Sequence, residues 1–236
     1  MNGPPEGVGE VLQLYSTPYS TNVERVTLAL GHKGLEAQLI SIDSGDRRDV
    51  RRVSGQPLVP VLVDGEEVVI DSMEIVRHLD ARHPDPPLYP SDPASRAEML
   101  IFIDWFNRVW KAAPNNLESE LALMSPDPDR VSSLAASMRG SLDRFEALLE
   151  EREYLFGAFS AADCAAFPCL RYALGRAEGD DDPFHLVLEE YQRLDGGHPR
   201  LEAWIRRVDA HPRASTAPGE GEAPEAAPVS DGRTRS

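Results

Sequence analysis

Two serines stand where helices should begin, and a hydroxyl in that place can do one of two things. Ser20 follows the turn Ser16-Thr-Pro-Tyr and precedes Val23, Val26 and Leu30, which fall at helical spacing. Its oxygen can cap the first amides of that helix. Alternatively, its proton can be donated to a bound anion that also feels the partial positive charge of the helix start. Asp71-Ser72 poses the same choice at a second helix, where a hydroxyl and a free amide suit a carboxylate. Thr17 and Tyr15 are further hydroxyls on the approach to Ser20. Other chemistries lack their residues. None of the six histidines sits at metal-ligand spacing. Cys164 and Cys169 form neither a Cys-x-x-Cys box nor a disulfide framework. Asp180-Asp-Asp182-Pro183 reads as a loop and a helix cap.

The elements that must hold these residues change character midway. Val11–Tyr15 and Ala37–Ile42 read as strands, with a helix between them that Gly34 ends. A weak, Arg-rich helix is expected from about Arg47 to Val53. Val59–Val63 and Glu67–Ile70 flank Asp64-Gly65, a strong hairpin signal, and a helix runs from Ser72 to Arg82. The order is βαβ and then αββα, a parallel pair plus a hairpin in one mixed sheet. Pro60 begins a strand that must pack centrally, which a proline tolerates only as the first residue or after a cis bond.

Beyond Pro84-Asp-Pro-Pro-Leu-Tyr-Pro-Ser-Asp-Pro93, a stiff connection with five prolines in ten residues, the pattern is all helix. Apolar stripes run through Met99–Trp110, Val131–Leu148, Phe184–Leu194 and Leu201–Val208. Phe159-Ser-Ala-Ala-Asp163 is a capping box opening a central, buried helix expected to reach about Ala177, with Pro168 inside it. The expected organisation is a flexible stretch over 1–10, an α/β domain over 11–84, a linker over 85–93, an all-α domain over 94–213 and a disordered acidic tail over 214–236.

Composition narrows the function classes. The chain has 236 residues, 40 acidic against 24 basic, and a formal net charge of −16. Residues 11–84 carry 11 acidic and 8 basic side chains, whereas residues 85–213 carry 23 and 14. So acidic a surface repels phosphate, which excludes nucleic acid as the expected partner. No apolar run approaches the ~18–20 residues of a membrane helix, and the first residues have neither the basic patch nor the apolar core of a signal peptide. A cytoplasmic, reduced protein is expected.

Taken together, these pieces resemble the cytosolic glutathione transferase family over residues 11–213. Val59-Pro60 looks like the family's Val–cis-Pro, and Asp71-Ser72 like its acidic-Ser pair at the third helix. Phe159–Asp163 looks like its capping box, and Ser20-Thr-Asn-Val-Glu-Arg25-Val like the start of its first helix. The stretch Ser54-Gly-Gln-Pro-Leu58 departs from the family's usual Asn-Pro-x-Gly-x, and Asp71 stands where Glu or Gln is commoner. Thr17-Pro-Tyr-Ser20 also resembles a glutaredoxin Cys-Pro-Tyr-Cys box with both sulfurs replaced, so thiol–disulfide exchange is not expected there.

The resemblance implies a thioredoxin-like βαβαββα domain followed by an all-α bundle, a homodimer, detoxification chemistry and no cofactor beyond glutathione as co-substrate. It implies that Ser20 activates the glutathione thiol, with Thr17 and Tyr15 as second candidates. Val59 and Pro60 would bind the cysteinyl part, Ser72 the γ-glutamyl carboxylate and Asp71 its ammonium. The electrophile pocket would involve Trp105 and Arg108, with Asn107 and Trp110 nearby. A non-catalytic binding protein of the same fold, or a transferase using another small thiol, remains the alternative.

Overall fold

The computed structural model describes residues 11–43 and 45–214, so the expectations for 1–10 and 215–236 lie outside the described residues. Strand β1 (Leu12–Ser16) buries Leu12 and Leu14 on one face and turns Gln13 and Tyr15 to the other, as a period of two requires. It pairs in parallel with β2 (Ala37–Ser41), Leu12 opposite Ala37, and antiparallel with β3 (Val61–Asp64), Leu14 opposite Leu62. β4 (Glu67–Ile70) closes the hairpin on β3, giving the order β2-β1-β3-β4. Gly65, with φ of 61°, supplies the left-handed residue of the turn. The Val59–Pro60 bond is cis, and the strand begins at Val61, two residues later than the sequence suggests.

Helix α1 (Thr21–His32) is buried on both sides: Val23, Val26, Leu28, Ala29 and Leu30 are all enclosed. It lies against α3 (Ser72–Arg82) and against a helix of the second half. The short α2 (Arg48–Ser54) covers the opposite sheet face, where Val50 meets Ile42 and Val61.

The second half begins with α4 (Pro93–Trp105), which passes through a π turn at Phe106–Trp110 into α5 (Ala112–Leu121). The remaining helices are α6 (Pro128–Leu148), α7 (Ala161–Leu170), α8 (Pro183–Tyr191) and α9 (Pro199–Asp209). Three of them start alike. Asp92, Asp127 and Asp182 each accept an amide of the first turn, and proline follows at once, where its missing N–H costs nothing. The apolar stripe Met99–Trp110 reads as one helix, so the π turn is a finding of the structure. The central helix α7 ends at Leu170, short of the expected Ala177. A 3₁₀ turn, Arg171–Leu174, and Gly175 follow it. Among the described residues no helix is long and apolar enough to cross a membrane.

One apolar core runs through both halves, from Leu12 and Leu30 to Phe167 and Val208. The proline-rich connection is part of it. Leu88 and Tyr89 are buried, the Leu88 amide donates to Asp80, and the Leu88 carbonyl accepts from Ala161 at 2.9 Å. Buried Lys33 holds the same stretch with bonds to Asp80, the His83 carbonyl and the Pro86 carbonyl. The chain after α9 returns across α1. Arg213 pairs with Glu24 at 2.9 Å and the Ala214 amide donates to Thr27. A Cβ at Gly31 would collide with the Pro212 carbonyl. Ala214, expected to begin the tail, is therefore docked. His211 stacks on Phe159 with 3.7 Å between centroids, and its Nε2 lies 3.3 Å from His32 Nδ1.

The capping box is the densest polar knot in the core. Asp163, fully buried, accepts from the Ser160 amide (2.9 Å) and hydroxyl (2.8 Å), the Leu155 amide (3.1 Å) and Trp204 Nε1 (2.8 Å). Asp163→Ala strands four donors, so it should cost roughly 2–4 kcal/mol, more than an exposed cap. A lowered urea midpoint with an unchanged slope is the expected result; an unchanged midpoint would show that these bonds hold nothing.

Candidate functional site

A cleft of ≈ 660 Å³ opens between the sheet domain and the helical half. Its first wall is the end of the loop before β3 together with the start of α3: Leu58, Val59, Pro60, Ile70, Asp71 and Ser72. The loop fastens to itself. Gln56 Oε1 accepts the Leu58 amide at 2.5 Å, Gln56 Nε2 donates to the Leu58 carbonyl at 2.9 Å, and Ser54 Oγ donates to the Val50 carbonyl. The departure at Ser54–Leu58 is thus a local clasp. Among the described residues the Val59 amide and carbonyl, next along the cleft, have no hydrogen-bond partner.

Asp71 has φ 70° and ψ 126°, a region that side-chain-bearing residues rarely occupy and that costs about 1–3 kcal/mol. Its Oδ1 caps α3 by accepting the Met73 and Glu74 amides. Asp71 is therefore the N-cap, which one of the two sequence readings allows, and it reaches the cleft as well. Ser72 is buried at the head of the helix, where a hydroxyl and the helix N-terminus suit an anion.

The opposite wall comes from the kinked α4–α5 rod. Asp104, Asn107, Arg108, Lys111 and Asn115 recur on its cleft side, and Asn22 and Arg25 of α1 form the floor. Arg108 is paired with Asp104 at 2.6 Å. Arg25 is only 3% exposed and among the described residues has no carboxylate within bonding distance. It donates to Ser72 Oγ (3.3 Å) and Asn107 Oδ1 (2.8 Å), leaving Nε without a partner. Burial pushes its guanidinium below the ordinary arginine value. Lys111 is held below the ordinary lysine value, chiefly by burial and with Arg25 adding to it.

Ser20 caps α1 by accepting the Val23 amide at 3.3 Å, which leaves its own proton free to donate. It lines a separate pocket of ≈ 110 Å³ with Thr17, Tyr19, Tyr172 and Asp180. That pocket is closed in part by Tyr19, whose hydroxyl donates to the Glu178 carbonyl at 3.2 Å. Tyr19 has φ 58°, so both Ser20 and Ser72 follow a strained, left-handed residue.

Three further expected residues lie elsewhere. Tyr15 is on the β1 face that packs against Ile42, Val50 and Val61 under α2, away from the cleft, because strand parity puts it opposite Leu14. Trp105 lines a groove of ≈ 1030 Å³ on the far side of α4 with Ile101, Phe102, Leu148 and Phe156. Trp110 is core, stacked on Phe106 and bonded to Ser141. Arg108 and Asn107 do reach the cleft. Lys111, Asn22, Gln56 and Asn115 were missed by the sequence reading. The polar positions 104, 107, 108, 111 and 115, opposite the apolar stripe of α4, carried the signal. Among the described residues no group of three or more His, Cys, Asp or Glu side chains could hold a metal.

A thioredoxin-like domain, with a helix N-terminus and an unpaired backbone edge facing a helical second half, defines a two-domain class of proteins. The comparisons name the class. The glutathione S-transferase N-terminal domain matches residues 14–87 and the C-terminal domain matches residues 103–207. The chain belongs to the glutathione S-transferase family. It is 40% identical over 92 residues to glutathione S-transferase Z1 of Arabidopsis thaliana, a stretch covering 37% of this chain and less than half (42%) of that relative. It is 31% identical over 168 residues to FtsZ-localized protein A of Caulobacter vibrioides, covering 65% of this chain and 73% of the relative. The Tau class glutathione S-transferase of mango, Mangifera indica, superposes with a TM-score of 0.71 at 18% identity, over 86% of this chain and 90% of that one.

A buried guanidinium without a carboxylate weakens the fold that carries it. Arg25→Met removes that charge, and Ser72 and Asn107, which line the cleft, can be rehydrated. The melting temperature without ligand should hold within about 4 °C or rise. A larger fall would mean that Arg25 is a structural tie between α1, α3 and α4.

Proposed function

We propose that the protein is a glutathione-dependent transferase that conjugates the tripeptide thiolate to a small electrophile. One observation carries this reading: the unpaired Val59 backbone lies in one cleft with the Asp71-Ser72 helix start. An extended cysteinyl residue can add to Val59 as a strand adds to a sheet edge. The γ-glutamyl carboxylate can take the Ser72 hydroxyl and amide, and its ammonium the free oxygen of Asp71. Arg25 donates to Ser72 Oγ, which directs the serine proton outward, so it acts as a positioning residue.

Ser20 is our candidate for activating the thiol, ahead of Thr17. A free thiol has pKa ~8.5, so the thiolate must be stabilised to react at neutral pH. The unshared Ser20 proton and the α1 N-terminus both favour the anion. The small, partly closed pocket around Ser20, together with similarity to an FtsZ-localized protein, supports a second reading, a non-catalytic binding protein of this fold.

If Ser20 stabilises the bound thiolate, the wild type with glutathione should show thiolate ultraviolet absorbance at neutral pH, and Ser20→Ala should lose most of it. A hydrogen bond to a charged group contributes ~1.5–3 kcal/mol, so the thiol pKa should rise by about one to two units and turnover should fall roughly ten- to a hundred-fold. Ser72→Ala should weaken glutathione binding and leave that pKa nearly unchanged. Full activity of Ser20→Ala beside a dead Thr17→Ala would move the role to Thr17. No binding of glutathione at millimolar concentration would leave only the binding-protein or other-thiol reading.

We propose further that two copies pair through the face bearing α3, β4 and α4. Leu58, Val68, Ile70, Leu100 and Ile101 are exposed there, and the apolar groove beside Trp105 lies on α4. Light scattering at micromolar concentration should give twice the 26.0 kDa chain mass; the single-chain mass would dismiss the dimer.

A further inference from the structure

The pocket around Ser20 is bounded on one side by a loop and not by the core. Thr17, Ser20 and the end of α7 with Tyr172 form its fixed sides, whereas Ala177 and Asp180 belong to the segment between the 3₁₀ turn and α8. That segment has two anchors. Asp180, 1% exposed, accepts the Tyr172 hydroxyl at 2.8 Å and pairs with His185 Nδ1 at 2.8 Å. Arg176 donates to Glu189 of α8 at 2.7 Å and to the Asp180 carbonyl. Between the anchors, Ala177-Glu178-Gly179 form an exposed tip. Among the described residues one hydrogen bond ties this tip across the pocket: the Tyr19 hydroxyl donates to the Glu178 carbonyl at 3.2 Å. Gly179, with φ of 83°, lets the tip turn where a side chain would be strained, and a Cβ there would lie 3.4 Å from the same Tyr19 oxygen.

Size makes this tie matter. The pocket holds ≈ 110 Å³, less than the ~150 Å³ of an engineered core cavity that binds benzene. A thiol fits beside Ser20; a thiol and an aromatic ring together do not. We infer that Tyr19 and the tip Ala177–Gly179 form a gate over Ser20, closed in this structure, whose opening sets how large a molecule reaches the Ser20 hydroxyl. That a thiol is the group held there rests on the transferase reading above; the gate itself does not. The closing contact is one neutral hydrogen bond from a tyrosine that is 47% exposed, so it is the part that gives way, while Asp180 and Arg176 stay fastened. Tyr19 acts as a specificity residue by access alone and takes no part in a chemical step.

Thiol labelling in the full chain tests this. Ser20→Cys puts a thiol in the pocket; Cys164 and Cys169 are buried, and the chain without the substitution gives the background. Methyl and benzyl methanethiosulfonate are both neutral, share one chemistry and differ in size. Each labelling rate is divided by the rate of the same reagent with free cysteine. Access through an open state populated at about a tenth or less should slow the benzyl reagent about tenfold or more relative to the methyl one. Adding Tyr19→Phe, which keeps the ring and drops the bond, should raise the benzyl rate about two- to tenfold and the methyl rate less than about twofold. Thr17→Cys, in the same pocket, carries the measurement if Ser20→Cys does not fold. Equal normalised rates for the two reagents, or a benzyl rate that Tyr19→Phe leaves unchanged, overturns the gate. Glutathione takes no part in the labelling, so its failure to bind would dismiss the transferase reading and leave this result standing.

Discussion

The buried carboxylate of Asp163 is the constraint on which the two halves depend. It gathers the amide of Leu155, the cap residue Ser160 and the indole of Trp204 on α9, and so fixes where α7 begins. The first amide of α7 then bonds the Leu88 carbonyl in the connection between halves. Helix α7 is apolar on every side and packs against α1, and α1 carries Asn22 and Arg25 to the cleft and begins at Ser20 in the smaller pocket. A small rotation of α7 would therefore be felt at both pockets. Burial raises the Asp163 carboxyl to about 6, against the four donors, which favour the charged form. A folded value above the unfolded one means that the stability this group contributes is full at low pH and is lost as pH rises through about 6. At neutral pH the shift of two units costs on the order of 3 kcal/mol. The network thus trades stability for geometry.

The site repeats one device. Tyr19 and Asp71 are left-handed residues with side chains, and each is followed at once by a serine at the head of a helix. A left-handed residue turns the chain sharply, so that α1 starts at the small pocket and α3 at the cleft. Strain of about 1–3 kcal/mol at each place is held by the surrounding core: α1 is enclosed on both sides and α3 is anchored by Ile75, Val76 and Leu79. Arg25 links the two starts, since it rises from α1 and donates to Ser72 of α3. The helical half joins through Asn107.

Local chemistry made most of the fold legible in the sequence. The Asp64-Gly65 hairpin, the Asp182-Pro183 helix start and the capping box are determined by residues within four positions of one another, and each forms where the sequence puts it. Strand parity could also have removed Tyr15 from the site, because Leu14 is buried toward α1 and alternation sends Tyr15 to the other face. The π turn left no such mark. Met99, Phe102, Ile103, Phe106 and Trp110 fit an ordinary helical stripe, and one extra residue in a turn barely disturbs spacings of three and four. Its consequence is nevertheless large. It sets which side of the rod meets the cleft, giving Asn107, Arg108 and Lys111 to the site and Trp105 to the outer groove. The early end of α7 was equally hidden, since the apolar run continues past Leu170 and only Gly175 marks the exit.

Charge gives the cleft its character against the rest of the molecule. A net charge of −16 repels anions at a distance, and glutathione is an anion. At physiological ionic strength that repulsion fades within about 8 Å of the surface, whereas charges inside a partly enclosed cleft are screened far less. Arg25 and Lys111, which among the described residues have no ion-pair partner, therefore act at short range, inside the cleft. Arg25 helps to hold the Lys111 ammonium below the ordinary lysine value, and Asp71 acts on both cations in the opposite sense. The local charge of the cleft is thus set by Arg25, Lys111 and Asp71 together, and not by the acidic exterior.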